Sequence, residues 1–295
     1  MKICMINDAA HVGSDLAKFL PPDITVDFIF GNRSFFGKTF GAFWNVFTSK
    51  NCDVYHANYA LQYAYLVDKL KHLDILHVHG SDVRWVVDSF KYGWVVKYAL
   101  KHADKVLYAT PDLETKVKKY RPDAIYLPTP VDVDRFTIKT VYNIKPKALY
   151  FKQWYESIKD FSWQIGMIKR RFDLTIQERN IDYSVMPDFL KSFDIFIDRF
   201  SIPSFSKTCL EAMSCGLATI DYRHYNSLNS LRDRLEELKD IQVIGWENRL
   251  FVENNHNAKK IALVLANIYR DSFNKKRHDE ELAVEPYSIF EESNC

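Results

Sequence analysis

The chain has 295 residues, 47% hydrophobic and 15% aromatic, enough apolar material for two domains or one large α/β domain. Its net charge of +2 is uneven: residues 1–147 hold 20 Lys and Arg against 15 Asp and Glu, the remainder 20 against 23, so the first half either attracts an anionic acceptor or membrane surface or is simply a solvated face. With no apolar run of about eighteen residues and no basic-then-apolar leader, the expectation is a soluble, cytoplasmic protein, at most peripheral to the inner face of the membrane, and an odd five cysteines without C-x-x-C favour reduced thiols over disulfides or zinc.

In chain order, Lys2–Ile6 predicts a strand, followed by a loop at Asn7–Ser14 and a helix from Asp15. Strands are predicted at 25–30, 53–57, 75–79, 105–109 and 124–127. Between them, 62–73 has helical periodicity and 83–102 reads as one or two helices. Trp85, Tyr92, Trp94 and Tyr98 in that stretch read as core rather than as a membrane-facing belt. A proline-bracketed stretch, TPVDVDRF, occupies 129–136, and 144–146 looks like a linker. A second series follows: strands at 148–152, 172–176 and 194–197, and a helix over 186–192. Residues 206–221, SKTCLEAMSCGLATID, then spell a helix start, a buried helix, a glycine stop and a strand over 217–220. A short strand at 243–244, an amphipathic helix over 257–270 and a charged tail from Asp271 complete the chain. Alternating strands and helices predict parallel sheets covered on both faces. The linker divides them into 1–145 and 146–295, with the tail packing back on the first half. Ligands in such folds bind at the carboxyl ends of strands.

Several side chains sit at those ends. His79 follows a strand and precedes Gly80, so it is either a donor or acceptor in a site or a turn histidine bonded to backbone. His77 points to the same strand face, which makes a metal pair conceivable, but no third ligand is evident. His56 ends another strand, where it either lines the acceptor side or packs in the core. Ser206, Lys207 and Thr208 stand at a helix N-terminus, a ready anion site, while Lys152 ends the strand at 148–152 and Lys159 follows in the loop. Thr208-Cys-Leu-Glu211 fits a capping box, which alone would explain Glu211. Gly13, after the first strand, admits backbone approach to a phosphate. G-x-G-x-x-G is absent, which argues against a nicotinamide enzyme.

The segment 206–221 resembles the EAMACG-P-V stretch of the GT-B glycosyltransferases, specifically the retaining glycosyltransferase family 4 (glycosyl transferases group 1). The resemblance extends to DVYHA at 53–57, HGSD at 79–82, ADKVLYATPD at 103–112, PTPVDVDRF at 128–136 and YSVMPDFLKSFDIFID at 183–198. The order is that of the family; the chain is short for it, like archaeal-type members. The resemblance implies two Rossmann-like parallel-sheet domains facing a central cleft, 1–145 taking the acceptor and 146–295 the nucleotide-sugar. It implies transfer of a sugar to an acceptor hydroxyl on a glycan, lipid or protein, with retention, and without metal, cofactor or nucleic acid. His79 then contacts the donor sugar, Glu211 the ribose, and Lys152, Lys159, Lys207 and the amides of 206–209 the leaving diphosphate, with Gly13 also against phosphate. Asp132-Val-Asp134 belongs to the family's hinge rather than to a metal-binding D-x-D. One departure stands out. Pro203 replaces the family's second glutamate, and Asp198, at a strand end, is the available stand-in. Two alternatives stay open: a sugar-nucleotide epimerase and a non-catalytic GT-B partner protein.

Overall fold

The computed structural model describes residues 1–30, 41–49, 51–225 and 227–284; Cys295 and the end of the charged tail lie outside them. The chain forms two compact units. The first comprises Met1–Ala109, Leu113–Leu127 and the chain from Ala262; the second comprises Thr110–Asp112 and Pro128–Ile261. The division therefore falls ahead of the linker at 144–146. Backbone hydrogen bonds explain this. Val131 N–H donates to the His256 carbonyl at 2.7 Å, and Ala258 N–H donates to the Val131 carbonyl at 2.9 Å, tying the proline-bracketed stretch to the end of the second unit.

Among the described residues, the first unit holds six parallel strands: β1 (Lys2–Ile6), β2 (Thr25–Ile29), β3 (Val54–Asn58), β4 (Ile75–Val78), β5 (Lys105–Tyr108) and β6 (Ile125–Tyr126), in the order β2-β1-β3-β4-β5-β6. The second holds four: β7 (Lys147–Phe151), β8 (Asp173–Gln177), β9 (Ile195–Ile197) and β10 (Ala218–Ile220), in the order β10-β9-β7-β8, also parallel. Each sheet reverses its winding between its first and third strands, β1 and β3 in one and β7 and β9 in the other. Crevices outside the carboxyl ends of strands at such reversals are where ligands bind in open α/β sheets.

The two-residue side-chain period of a strand explains the layers. In β7, Leu149 and Phe151 join one buried cluster with Phe196 and with Cys209, Leu210 and Met213 of the helix Lys207–Ser214. Ala148 and Tyr150 join Ile195, Ile197 and Ile220 on the other face. In the first unit, Tyr55, Ala57, Leu76 and Val78 share one core. His56 and His77 alternate with them and are fully buried; their rings lie 5.8 Å apart, and His56 Nδ1 lies 2.6 Å from the hydroxyl of Tyr269 in the C-terminal helix Ala258–Val284. His56 is thus a core residue rather than an acceptor-side one.

Three expectations fail. The apolar pair at 243–244 lies within the helix Ile241–Asn255 rather than in a strand. Two apolar residues cannot distinguish the two periods; the packing does, since Gly245 lies so near the Gly216 carbonyl that a Cβ there would come within 2.0 Å of its oxygen. The helix predicted over 257–270 continues to Val284. Of the aromatics read as core, Trp85, Tyr92 and Trp94 are 42%, 51% and 57% exposed. The helix Gly93–His102 buries Gly93, Val96, Ala99 and Leu100, which leaves Trp94 off its inner face. Among the described residues, no helix is long and apolar enough to cross a membrane.

Candidate functional site

In the second unit, the carboxyl ends of β7 and β9 lead into Lys152 and Asp198, and the helix Lys207–Ser214 begins just beyond. Ser206 is its N-cap: its backbone is extended, and its hydroxyl accepts the Cys209 N–H at 3.0 Å. Glu211 is therefore a full turn inside the helix, and the capping box suggested by Thr208 and Glu211 does not form. The Glu211 carboxylate is buried. It accepts the Tyr183 hydroxyl at 2.9 Å and lies 3.7 Å from the Lys207 ammonium, which is itself only 8% exposed. Tyr183 is held between two cations, Arg135 at 4.1 Å and Lys207 at 5.4 Å from its ring centre. Such an arrangement fixes a carboxylate one turn behind a helix mouth.

Asp198 has a different place from the one its position suggests. It is buried, one oxygen accepting the Ser206 N–H at 2.9 Å and the other the Arg199 N–H at 2.9 Å. Burial raises its pKa above the usual carboxylate range, against the pull of Arg199 and Ser206. It anchors the loop from Arg199 to Ser206. Glu156 anchors the same loop, accepting the Ser201 N–H and hydroxyl at 2.8 and 2.6 Å. Pro203 is exposed on that loop. Of the amides expected to form a clamp, that of Ser206 is bound to Asp198 and that of Cys209 to Ser206. Between them, Lys207 and Thr208 lie in the first turn, whose N–H groups find no carbonyl within the helix. Lys152 is exposed and pairs with Glu178 at 2.9 Å; Lys159 is exposed in a turn.

In the first unit, His79 follows β4 and its Nε2 lies 2.9 Å from Asn58 Oδ1 at the end of β3. The Asn58 amide nitrogen donates to the Asn7 carbonyl at 3.1 Å, so Oδ1 is the atom turned to His79, and this network places the proton on His79 Nε2. Gly80 follows with φ +150°, and a Cβ there would lie 2.1 Å from Arg84 Nη1. Asp82 is buried and accepts the amides of Gly80, Val83 and Ala60 at 2.9, 3.0 and 3.1 Å, which shapes the turn; burial raises its pKa. Asn7 and Tyr59, at the ends of β1 and β3, have φ of 61° and 103°, strain of the kind that collects at binding edges. Gly13 lies within the helix Val12–Ala17, and its N–H is bound to Asp8 Oδ1 at 2.8 Å, as is that of Ser14 at 3.2 Å. A carboxylate of the chain itself thus occupies this helix mouth. His77 is fully buried, and burial lowers its pKa to about 3, so it stays neutral. Asp132 accepts the amides of Asp134 and Arg135 at 3.2 and 3.1 Å, a turn-capping role.

The structure thus gathers Ser206, Lys207, Thr208 and Glu211 at one helix and leaves Lys152 and Lys159 on loops of the same unit. His79 and Gly13 belong to the other unit. Sequence reasoning missed Tyr183, Arg135 and Asn58 as supports. Tyr183 and Arg135 both lie in the segments 183–198 and 128–136, but nothing in their spacing says that Tyr183 meets Glu211 or that Arg135 packs on the Tyr183 ring.

No family model matches the chain, and no curated protein does. Solved structures do. A sucrose-phosphate synthase from Thermosynechococcus elongatus is 14% identical, with 93% of this chain and 100% of that chain covered at a TM-score of 0.62. HepE of Anabaena, in complex with UDP and glucose, is 11% identical over 90% and 98%, with a TM-score of 0.64. An α-glucosyltransferase in complex with UDP-glucose and DNA is 11% identical over 92% and 99%, with a TM-score of 0.62. At these identities the likeness speaks for architecture. With two parallel sheets wound alike and these structural neighbours, the chain has the GT-B fold.

Proposed function

We propose that the chain is a glycosyltransferase that moves a sugar from a nucleotide-sugar donor to an acceptor hydroxyl, with retention at the anomeric carbon. The observation that carries this reading is the Ser206-capped helix beside the β7/β9 reversal. Lys207 and the first-turn amides stand at its mouth, and Glu211 is fixed one turn behind by Tyr183. The donor's diphosphate meets the helix mouth and Lys207, and its ribose hydroxyls meet Glu211. As the bond from the anomeric carbon to the diphosphate oxygen breaks, its electron pair stays on the diphosphate. The growing negative charge is met by the ammonium and the amides, the groups suited to a developing anion. The acceptor oxygen bonds the anomeric carbon and passes its proton to the oxygen of the departing diphosphate. In this reading the step needs no metal, and His79 is the donor-sugar contact. Asp198 acts by holding the loop before the helix rather than by touching the sugar. The GT-B neighbours support the reaction class, since those described above include proteins holding UDP or UDP-glucose.

The test is a binding and turnover panel of UDP-, GDP-, ADP- and dTDP-sugars, with UDP-glucose first. A nucleotide at about a hundred times its Kd stabilises the native state by about 2.7 kcal/mol, readily seen in thermal unfolding. Stabilisation by one nucleotide, with sugar transferred only when an acceptor is added, is the expected result. Conversion of the donor without acceptor makes the protein an epimerase. No stabilisation by any nucleotide overturns the proposal in favour of a non-catalytic partner.

A further inference from the structure

At the amino end of β4 and β5, the opposite end from His79, lies a second cluster of polar groups in the first unit. The helix Gln62–Leu70 is followed by His72, whose φ is +89° and whose N–H closes on the Val67 carbonyl at 3.0 Å. Asp74 immediately precedes β4 and Asp104 immediately precedes β5. Two backbone bonds, Asp104 N–H to the Leu73 carbonyl at 3.1 Å and Lys105 N–H to the Asp74 carbonyl at 2.9 Å, hold these strand entries side by side. As a result His72 Nε2, Asp74 Oδ1 and Asp104 Oδ2 all lie within 4.8 Å of one another, with His72 to Asp104 at 3.0 Å and His72 to Asp74 at 4.0 Å.

An acidic cluster alone indicates little, but Asp74 adds an independent fact. It is 0% exposed. Its Oδ2 accepts the Tyr55 N–H at 2.7 Å, while its Oδ1, the atom aimed at His72 and Asp104, is buried with no hydrogen-bond partner among the described residues. Among the described residues, the Lys276 ammonium of the C-terminal helix forms an ion pair with it at 3.7 Å, beyond hydrogen-bonding reach. Arg121, the other cation close by, gives its hydrogen bonds to the carbonyls of Leu100, Ala103 and Asp104 and to the Asp123 carboxylate, not to the Asp104 carboxylate. A buried carboxylate oxygen without a donor is costly and calls for a cation.

We propose that His72, Asp74 and Asp104 bind a divalent transition-metal ion of the zinc class, in a site separate from sugar transfer. Ligand atoms about 2.1 Å from a tetrahedral ion stand about 3.4 Å apart, close to the spacing observed. One imidazole and two carboxylates with water in the fourth position suit zinc. Magnesium keeps most of its water, and calcium asks for six or more oxygens. The four residues of β4 lie between Asp74 and His79, five strand steps or about 16 Å, so the ion takes no part at the sugar. Its role is to clasp the entries of β4 and β5 to the end of the helix before them.

The test uses the full chain stripped with a chelator, with zinc added in calorimetry and in thermal unfolding. A 1:1 complex that raises the melting temperature is expected, with little effect of magnesium or calcium. His72→Ala and Asp104→Asn, at partly exposed positions, each weaken zinc binding by about 10–100-fold or more, since even indirect ligand changes have that effect. Lys276→Met removes the rival cation: the metal-free variant melts lower than the parent, binds zinc more tightly and regains stability when zinc is added. Absence of stoichiometric zinc binding overturns the proposal, as does zinc affinity unchanged in both His72→Ala and Asp104→Asn. A Lys276→Met variant that zinc does not restore makes the cluster an ion pair with Lys276 and likewise overturns it.

Discussion

Replacing Glu211 by Gln tests the donor site with little change of shape. The amide keeps a carbonyl oxygen for the Tyr183 hydroxyl now 2.9 Å away, but it removes the charge facing Lys207 at 3.7 Å. Both side chains of that pair are nearly buried, at 3% and 8% exposure, so the ammonium loses the carboxylate charge beside it in a poorly solvated place. The folded state should lose about 1–3 kcal/mol, the cost of a buried polar group left imperfectly matched. Donor binding changes separately. A hydrogen bond to a charged acceptor is worth about 1.5–3 kcal/mol, and to a neutral one about 0.5–1.5. Each ribose hydroxyl held by Glu211 therefore loses about 1–1.5 kcal/mol, roughly tenfold in Kd, and two hydroxyls roughly a hundredfold. The assay is titration calorimetry with the nucleotide selected by the panel, on variant shown to be folded by near-ultraviolet circular dichroism. A folded Glu211→Gln variant whose nucleotide Kd stays within about twofold of the parent refutes the ribose assignment, since about 0.4 kcal/mol is too little for one lost charged contact.

Two predictions concern the frame behind that site. Lys139, 3% exposed, donates to Asp194 Oδ1 at 2.8 Å and to the Phe193 carbonyl at 2.6 Å, and Asp194 also accepts the amides of Lys147 and Asn143 at 2.9 and 3.1 Å. Lys139→Met leaves a buried carboxylate without its cation and should cost about 3–5 kcal/mol in urea unfolding; a loss under about 1 kcal/mol would show that the pair is solvated. The same pair sets an acid dependence. Burial works to raise the Asp194 pKa, but the Lys139 bond and the two amides outweigh it, and the net shift is downward. A depressed carboxylate adds stability above its unfolded pKa of about 3.9, and that stability disappears as pH falls through the lower folded value. The stability gap between parent and Lys139→Met should therefore be full at pH 6 and shrink below about pH 4. A gap that is constant or widens in acid contradicts the assignment.

How much of this was legible in the sequence follows from which interactions are local. Alternating apolar runs and helical stretches were sufficient for parallel α/β sheets, because strand burial on both faces leaves near-continuous apolar segments such as 75–78 and 195–197. The start and stop of the helix Lys207–Ser214 were readable from Ser206 and Gly216, since capping uses neighbours in the chain. Which of Ser206 and Thr208 caps was not readable: both fit, and the choice turns on Asp198, which pins the Ser206 amide from the strand before. The sequence also showed that His79 ends a strand, but not that Asn58 orients it. Likewise Glu211 was visible, but not its Tyr183 partner. Asp198 looked available because it follows a strand; folding turns it into the loop, where two amides take it. The exposed Trp85, Tyr92 and Trp94 were misread because composition says nothing about which face of a helix meets the core.

By itself, then, the sequence determined the strands of both sheets, their parallel winding and the capped helix at the strand ends, all consequences of chain-local periodicity and backbone hydrogen bonding. Only the tertiary structure decided which polar groups meet. Asp198 on Ser206, Glu211 on Tyr183, and His72 with Asp74 and Asp104 join residues that the chain separates and the sheet register reunites. Their energies depend on burial and distance, which no spacing in the sequence encodes.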